Sequence, residues 1–313
     1  MIDPLVATTI IYGGILSIMC VGLTVTYQTT KVPNFAFADF AVMGMNASYF
    51  SYAILKLGSP YFTAPFSMLA GGVFAVVMYL AIMRPMIRRG SSIIMLMVAT
   101  LAVDILFTGV QADIVTIGFA PFSADFIHAG LPTLVSAPPL PDFRLLGENG
   151  ILLISPALLI AVTAAMFLLL TKSKFGVAMR ASIENPNLAR TAGINVDRVY
   201  LVSWFIAGAL GGLAGCLYSI GDGMSLGIQS ILILDIFAGS VLGGLSSIYG
   251  AVLGGMIVSL GENYVLGVLI QVNPSLSLLS VGGISMILLV ATLMVAPKGL
   301  VSVDWKKVTS WRP

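Results

Sequence analysis

The sequence predicts an all-α, polytopic membrane protein of about nine transmembrane segments, some of them broken or re-entrant, with an inverted repeat. Three observations carry that expectation. Hydrophobic residues make up 58% of the 313 residues and charged residues only 9%, with a mean hydropathy of +1.03, a balance that soluble domains of this size do not sustain. Uncharged apolar runs of about 20 residues, the length needed to cross a bilayer, recur along the chain. Lys and Arg gather between alternate runs, as they do in cytoplasmic loops.

Spans are predicted at residues 5–26, 36–55, 61–83, 91–111, 150–171, 199–220, 229–247, 249–270 and 277–297. The N-terminus, MIDPLVATTI, has no basic n-region, so no cleavable signal is expected. The first run carries Gly13, Gly14 and Gly22 and is interrupted by Val32-Pro33-Asn34-Phe35-Ala36, with Asp39 within a turn or so. Arg84, Arg88 and Arg89 follow the third span. The interval 112–149 carries Pro132, Pro138, Pro139 and Pro141, which preclude a regular helix through 132–141. It reads as a partly ordered external cap with short strands at Thr133–Ser136 and Phe143–Leu146. His128, in the same interval, reads as a surface residue.

The sixth span carries Gly208, Gly211, Gly212 and Gly215, small residues that let helices approach closely. Residues 242–250, LGGLSSIYG, then interrupt the apolar run either as a tight loop or as a break within the membrane. Two interruptions, each after a glycine-rich span, suggest that 5–111 and 199–297 are inverted repeats. With nine spans, Lys31, Arg84, Arg88, Arg89, the 172–200 loop, Lys298, Lys306, Lys307 and Arg312 share one side. That side is expected to be the cytoplasm, with the N-terminus, Lys56 and Arg144 outside.

Four acids fall within predicted spans: Asp39, Asp104, Asp235 and Glu262, the last followed by Asn263. Charge at membrane depth is costly and faces a cavity or a partner. Each acid has two readings: a hydrogen bond that ties neighbouring helices together, or part of a polar translocation route with Asn34, Phe35 and Phe37. Cys20 and Cys216 both sit in apolar runs, and no disulfide, metal or cofactor site is expected. The phosphate-loop, HExxH and GxSxG patterns are absent from the sequence, and no nucleophile–base pair presents itself, so the chain does not read as an enzyme.

The 172–200 loop, KSKFGVAMRASIENPNLARTAGINVDRVY, has a plan of its own. Phe175–Ile183 has helical composition. Asn185-Pro186 stops that helix and starts another, because Asn is a favoured N-cap and Pro a favoured first helical residue. Gly193 suits the position just past a helix end, and Asp197 is placed to cap the next span. A short helix over 186–192 is therefore expected, with Leu188, Ala189 and Ile194 as apolar contacts. It reads either as a solvated basic loop or as a docking element for another protein.

Several motifs in order resemble a known family. Asn34-Phe35-Ala36, Arg84-Pro85 with Arg88-Arg89 and Ala99-Thr100, then Gly176, Ala178, Arg180-Ala181, Ala189 and Gly193-Ile194 carry the likeness. Val241-Leu242-Gly243-Gly244, Ser247-Ile248, Gly250-Ala251, Gly254-Gly255 and Pro297-Lys298-Gly299-Leu300 extend it to about residue 301. The sequence resembles the permease subunits of ATP-binding-cassette importers for branched-chain amino acids, a family that includes urea and short-chain amide permeases. It departs from the pattern at Phe37 and Ala38, where that family usually has His or Gln and then Gly.

The resemblance implies one transmembrane permease domain over 1–313, in a prokaryotic plasma membrane, paired with a second homologous permease. It further implies two ATPase subunits that hydrolyse ATP and an external substrate-binding protein facing the 112–149 cap. Gly176, Arg180, Glu184, Asn185, Pro186, Leu188, Arg190 and Gly193 would form the coupling element that docks the ATPase, with Arg180 and Arg190 making charge-assisted contacts. The competing reading is a stand-alone facilitator for a small neutral solute such as urea, which needs no partner.

Overall fold

The computed structural model describes residues 3–118, 120–131, 136–145, 147–272, 282–296 and 299–300. Among the described residues, each apolar run forms a helix over most of its length. Helix α1 spans Pro4–Thr30, capped by Asp3, and α2 spans Phe37–Leu55. Helix α3, Pro60–Arg88, contains a π turn at Tyr79–Met83. Helix α4 is Ile93–Asp113, α5 Ser123–His128 and α6 Ile151–Lys172. Two short helices follow, α7 at Lys174–Glu184 and α8 at Pro186–Thr191. The last four are α9 at Val196–Gly221, α10 at Gln229–Gly243, α11 at Ile248–Val272 and α12 at Gly283–Val295.

Among the described residues, α1, α3, α6, α9, α11 and the helix that starts with α4 are long and apolar enough to cross a membrane. The chain is a multi-pass membrane protein. Helices α10 and α12 are apolar but shorter, at 15 and 13 residues. Helix α2 has 19 residues but carries Asp39, Asn46, Ser48, Tyr49 and Ser51, all buried. Its neighbours are protein on most sides, so it tolerates polar groups that a lipid-facing helix would not.

The buried centre is built by α1, α2, α9 and α10. Helix α1 packs on α9, α10 and α11, while α9 packs on α1, α2 and α3. At Gly212 and Gly215, α9 meets its neighbours backbone to backbone. A Cβ on Gly212 would overlap the Ser67 carbonyl, and one on Gly44 would overlap the Gly212 backbone. Gly239 on α10 and Gly254 on α11 make a second contact of this kind, with the Gly239 carbonyl against Gly254. In a membrane such close van der Waals contact supplies the association that the hydrophobic effect supplies in water. Trp204, Phe40, Phe74, Phe107 and Tyr79 form a ring cluster beside it, with centroids 4.7–6.3 Å apart along the chain of contacts.

The first interruption folds the chain back. After Lys31, which is left-handed at φ 56°, the chain turns back and α2 begins beside Gly22, whose Cβ position lies against the Phe37 ring. The second interruption, left open between a loop and a break, is a four-residue turn. Helix α10 stops at Gly243, Gly244 takes φ +96°, and Ser247 caps α11 by accepting from Gly250 N at 3.1 Å.

Other expectations shift at their edges. Helix α4 continues as a π turn through Ile114–Gly118, because that stretch is uncharged, so irregular structure begins later than residue 112. Ser136–Ala137 (β1) pairs antiparallel with Met224–Ser225 (β4), and Arg144–Leu145 (β2) with Glu148–Asn149 (β3). Thr133, Leu146, Pro132 and the C-terminal residues Lys298, Lys306, Lys307 and Arg312 lie outside the described residues, as does the start of the 277–297 span. The cap of α9 is Asn195, which accepts from Arg198 N at 3.1 Å, and not Asp197. The Asp197 carboxylate instead meets Arg84 at 3.2 Å and Arg88, because those two guanidinium groups at the end of α3 offer more than one backbone N–H does.

Candidate translocation and coupling sites

The four membrane acids fall into two pairs. Asp39, in the first turn of α2, is fully buried and its carboxyl lies against that of Asp104 on α4. Apart from that contact, neither oxygen of Asp39, nor Asp104 Oδ1, has a hydrogen-bond partner among the described residues. The 32–36 segment borders the same contact. Asn34 Oδ1 accepts from Ala36 N at 3.1 Å, while Asn34 Nδ2 is buried without a partner among the described residues. Phe35 N donates to Thr100 Oγ1 at 3.1 Å, one turn before Asp104 on the same helix. The Phe35 ring stacks on Phe237 of α10 at 4.7 Å, and Phe37 packs edge-on against Phe40 at 5.4 Å. Asn34, Phe35, Phe37, Asp39 and Asp104 thus converge where α2 starts.

Asp235 and Glu262 form the other pair. Asp235, on α10, is 1% exposed, and its Oδ2 accepts from Tyr12 Oη of α1 at 2.5 Å. Glu262, in the π turn of α11, lies beside it. Glu262 Oε1 accepts from the Ser285 hydroxyl at 2.6 Å and its backbone N–H at 3.3 Å. Tyr218 of α9 meets the Tyr12 ring edge-on at 6.3 Å. Five helices therefore share one polar knot. Tyr12 and Ser285 were not singled out from the sequence; a hydroxyl inside an apolar run was the signal available.

Substituting Tyr12→Phe withdraws a hydroxyl from a buried carboxylate. A loss of about 1–3 kcal/mol of stability is expected, the cost of leaving a buried acceptor unsatisfied. Thermal unfolding in detergent reads it; an unchanged midpoint would mean that Asp235 does not depend on this bond.

The basic loop is ordered by its own caps. Ser173 Oγ accepts from Gly176 N at 3.0 Å. Gly176 sits where a Cβ would overlap the Leu169 and Leu170 carbonyls, so only glycine lets α7 fold back on α6. Asn185 Oδ1 accepts from Asn187 N and Leu188 N at 3.1 and 3.0 Å, Pro186 is the first residue of α8, and Gly193 is left-handed at φ +82°. Ala189 is buried and accepts from Ile194 N at 3.0 Å, which leaves Leu188, 67% exposed, and Arg190 facing out. Among the described residues, Arg190 donates only to Asn187 Oδ1, at 3.4 Å. Arg88, Arg190, Gly193, Asn195 and Asp197 line a groove of about 510 Å³ beside α8.

Arg180 and Glu184 lie elsewhere. Arg180 Nη1 donates to Leu170 O at 2.5 Å, and both residues line a separate cavity towards α6. The Asp197 contacts with Arg84 and Arg88 tie the start of α9 to the end of α3, a link that sequence reasoning missed by assigning Asp197 to a cap.

A family model described as "Branched-chain amino acid transport system / permease component" matches residues 5–296. A probable branched-chain amino acid transport permease protein, LivH, of Methanocaldococcus jannaschii is 39% identical over 304 residues, covering 96% of this chain and 92% of that protein. The high-affinity branched-chain amino acid transport system permease protein BraD of Pseudomonas aeruginosa is 24% identical, covering 80% of this chain and 82% of its own. Among solved structures, PsaBC from Streptococcus pneumoniae in complex with Fab superimposes with a TM-score of 0.55 at 14% identity, over 95% of this chain and 93% of that one; the likeness is one of fold.

Proposed function

The chain belongs to the permease-component family of branched-chain amino acid transport systems, and on that premise we propose that it passes branched-chain amino acids through an ATP-binding-cassette importer. The observation that carries this reading is the 39% identity to a permease over nearly the whole of both chains. The stand-alone facilitator is not favoured, since α8 is a capped helix presenting Leu188 and Arg190 to a partner.

In this reading the chain spans the membrane about nine times, counting the broken segments, with its N-terminus outside. Helices α1–α4 and α9–α12 are the two halves of an inverted repeat. The exchange of contacts supports it: α1 packs on α10 and α11, and α9 on α2 and α3. The chain pairs with a second homologous permease, two cytoplasmic ATPases and an external substrate-binding protein, which meets the 112–149 cap. It binds no cofactor; its partners hydrolyse ATP.

Coupling runs through the 172–200 loop. Leu188 and Arg190 enter the ATPase, while Gly176, Asn185, Pro186 and Gly193 hold the shape of α7 and α8. Closure of the ATPases presses on α8, and the short 193–195 connection passes that motion to α9. The Asp197 contacts carry it on to α3. The substrate follows a path bordered by the Asn34–Asp39 segment and the four acids, and passage needs α2, which carries Asp39, to shift.

Purification from native membranes in mild detergent tests the reading. Two ATPases and a second permease are expected alongside the chain, and proteoliposomes of the complex should take up leucine, isoleucine or valine only with ATP and the binding protein. A chain that comes alone and passes urea without ATP would overturn it.

A further inference from the structure

A cavity of about 470 Å³ opens at the basic end of the bundle, between the ends of α1 and α6, helix α7 and the α10–α11 turn. We propose that it binds the headgroup of an anionic phospholipid. Its polar side is made by Lys31 and Arg180, against one opposing charge, Glu184. Among the described residues neither cation has an ion-pair partner. The Leu170 carbonyl holds the Arg180 guanidinium in the wall, and Lys31, left-handed just past the end of α1, sets its ammonium 5.9 Å from the Tyr27 ring centroid.

The other side is apolar. Phe167, Leu170 and Tyr249 line it, and Phe167 and Tyr249, 45% and 52% exposed, stand with their ring centroids 6.3 Å apart. Beyond them α6 and α11 expose Leu168, Leu253 and Leu260, surface that in a multi-pass protein meets acyl chains or another membrane helix. A cavity of this size suits a small ligand or headgroup. Cations at its rim and an apolar strip leading into the membrane match a phosphodiester with its chains attached, as in other basic pockets between transmembrane helices. A zwitterionic lipid would bring an ammonium group towards Lys31 and Arg180 and lose that complementarity. The site does not depend on which solute the chain transports.

Native mass spectrometry of the full chain, purified in neutral detergent with whatever subunits accompany it, tests the proposal with added phosphatidylglycerol or phosphatidylcholine. Wild type should retain phosphatidylglycerol preferentially. The Lys31→Gln/Arg180→Gln double variant should retain it roughly 30-fold less, about five-fold for each charge, the fold-change equivalent to about 1 kcal/mol per cation near a lipid surface. Glu184→Gln should instead raise retention, a gain that misfolding cannot produce. Equal retention by wild type and double variant, or no preference for phosphatidylglycerol, would overturn the proposal. So would loss of the ATPase with lipid retention intact, which would make the cavity a protein dock.

Discussion

The substitution Gly212→Leu is expected to yield almost no folded protein. Residue 212 lies where α9 meets α3 and α2, and the atoms a side chain would strike are the Ser67 carbonyl and the Met68 backbone. Backbone cannot rotate away as a side chain can, so α3 itself would have to move. Overpacking a tight core costs about 1–3 kcal/mol even where side chains adjust, and more where they cannot. Helix association in a bilayer rests on this packing, so separation of α9 from α3 should follow. Gly109→Leu is the matched control: a Cβ on Gly109, on α4, meets nothing within 4 Å. Size-exclusion profiles and unfolding midpoints in detergent measure both variants. A monodisperse Gly212→Leu protein with a wild-type midpoint would mean that this contact does not hold the bundle together.

The Leu188→Asp/Arg190→Glu double variant should fold and insert normally yet lose its ATPase. Both side chains point away from the protein, and the helix that carries them is held by Asn185, Ala189 and Ile194, which the variant leaves alone. Removing an apolar anchor and reversing a charge at the centre of a small contact costs about 2 kcal/mol or more. Retention of the ATPase should therefore fall by about 30-fold or more, and ATP-driven uptake should stop. Undiminished retention would remove α8 from the coupling route and return it to the status of a solvated loop.

How much of this was legible in the sequence varies with how local each feature is. The ends of α7 and α8 were readable to within a residue, because Asn185, Pro186 and Gly193 act on backbone groups at most three residues away. The apolar runs of α1, α3, α6 and α9 were plain, though not their ends, while the uncharged 242–250 stretch left the start of α11 open. The Asp197 case shows the limit: by local rules it is a cap, but Arg84 and Arg88, 113 and 109 residues away, outbid a backbone N–H. The membrane acids show it again. Each was visible as a charge in an apolar run, yet nothing in sequence distance links Asp235 to Tyr12, 223 residues apart, or Asp39 to Asp104.

Composition and capping therefore determined the membrane setting, the helices and the shape of the basic loop. These depend on what solvent each stretch prefers and on its nearest neighbours. The folding back of α2 against α1, the two acid pairs and the split of Arg180 from Arg190 into different surfaces were decided only in three dimensions. Those depend on how far each helix is rotated and how closely it approaches the next, which contacts such as Gly212 against Ser67 and Gly239 against Gly254 set.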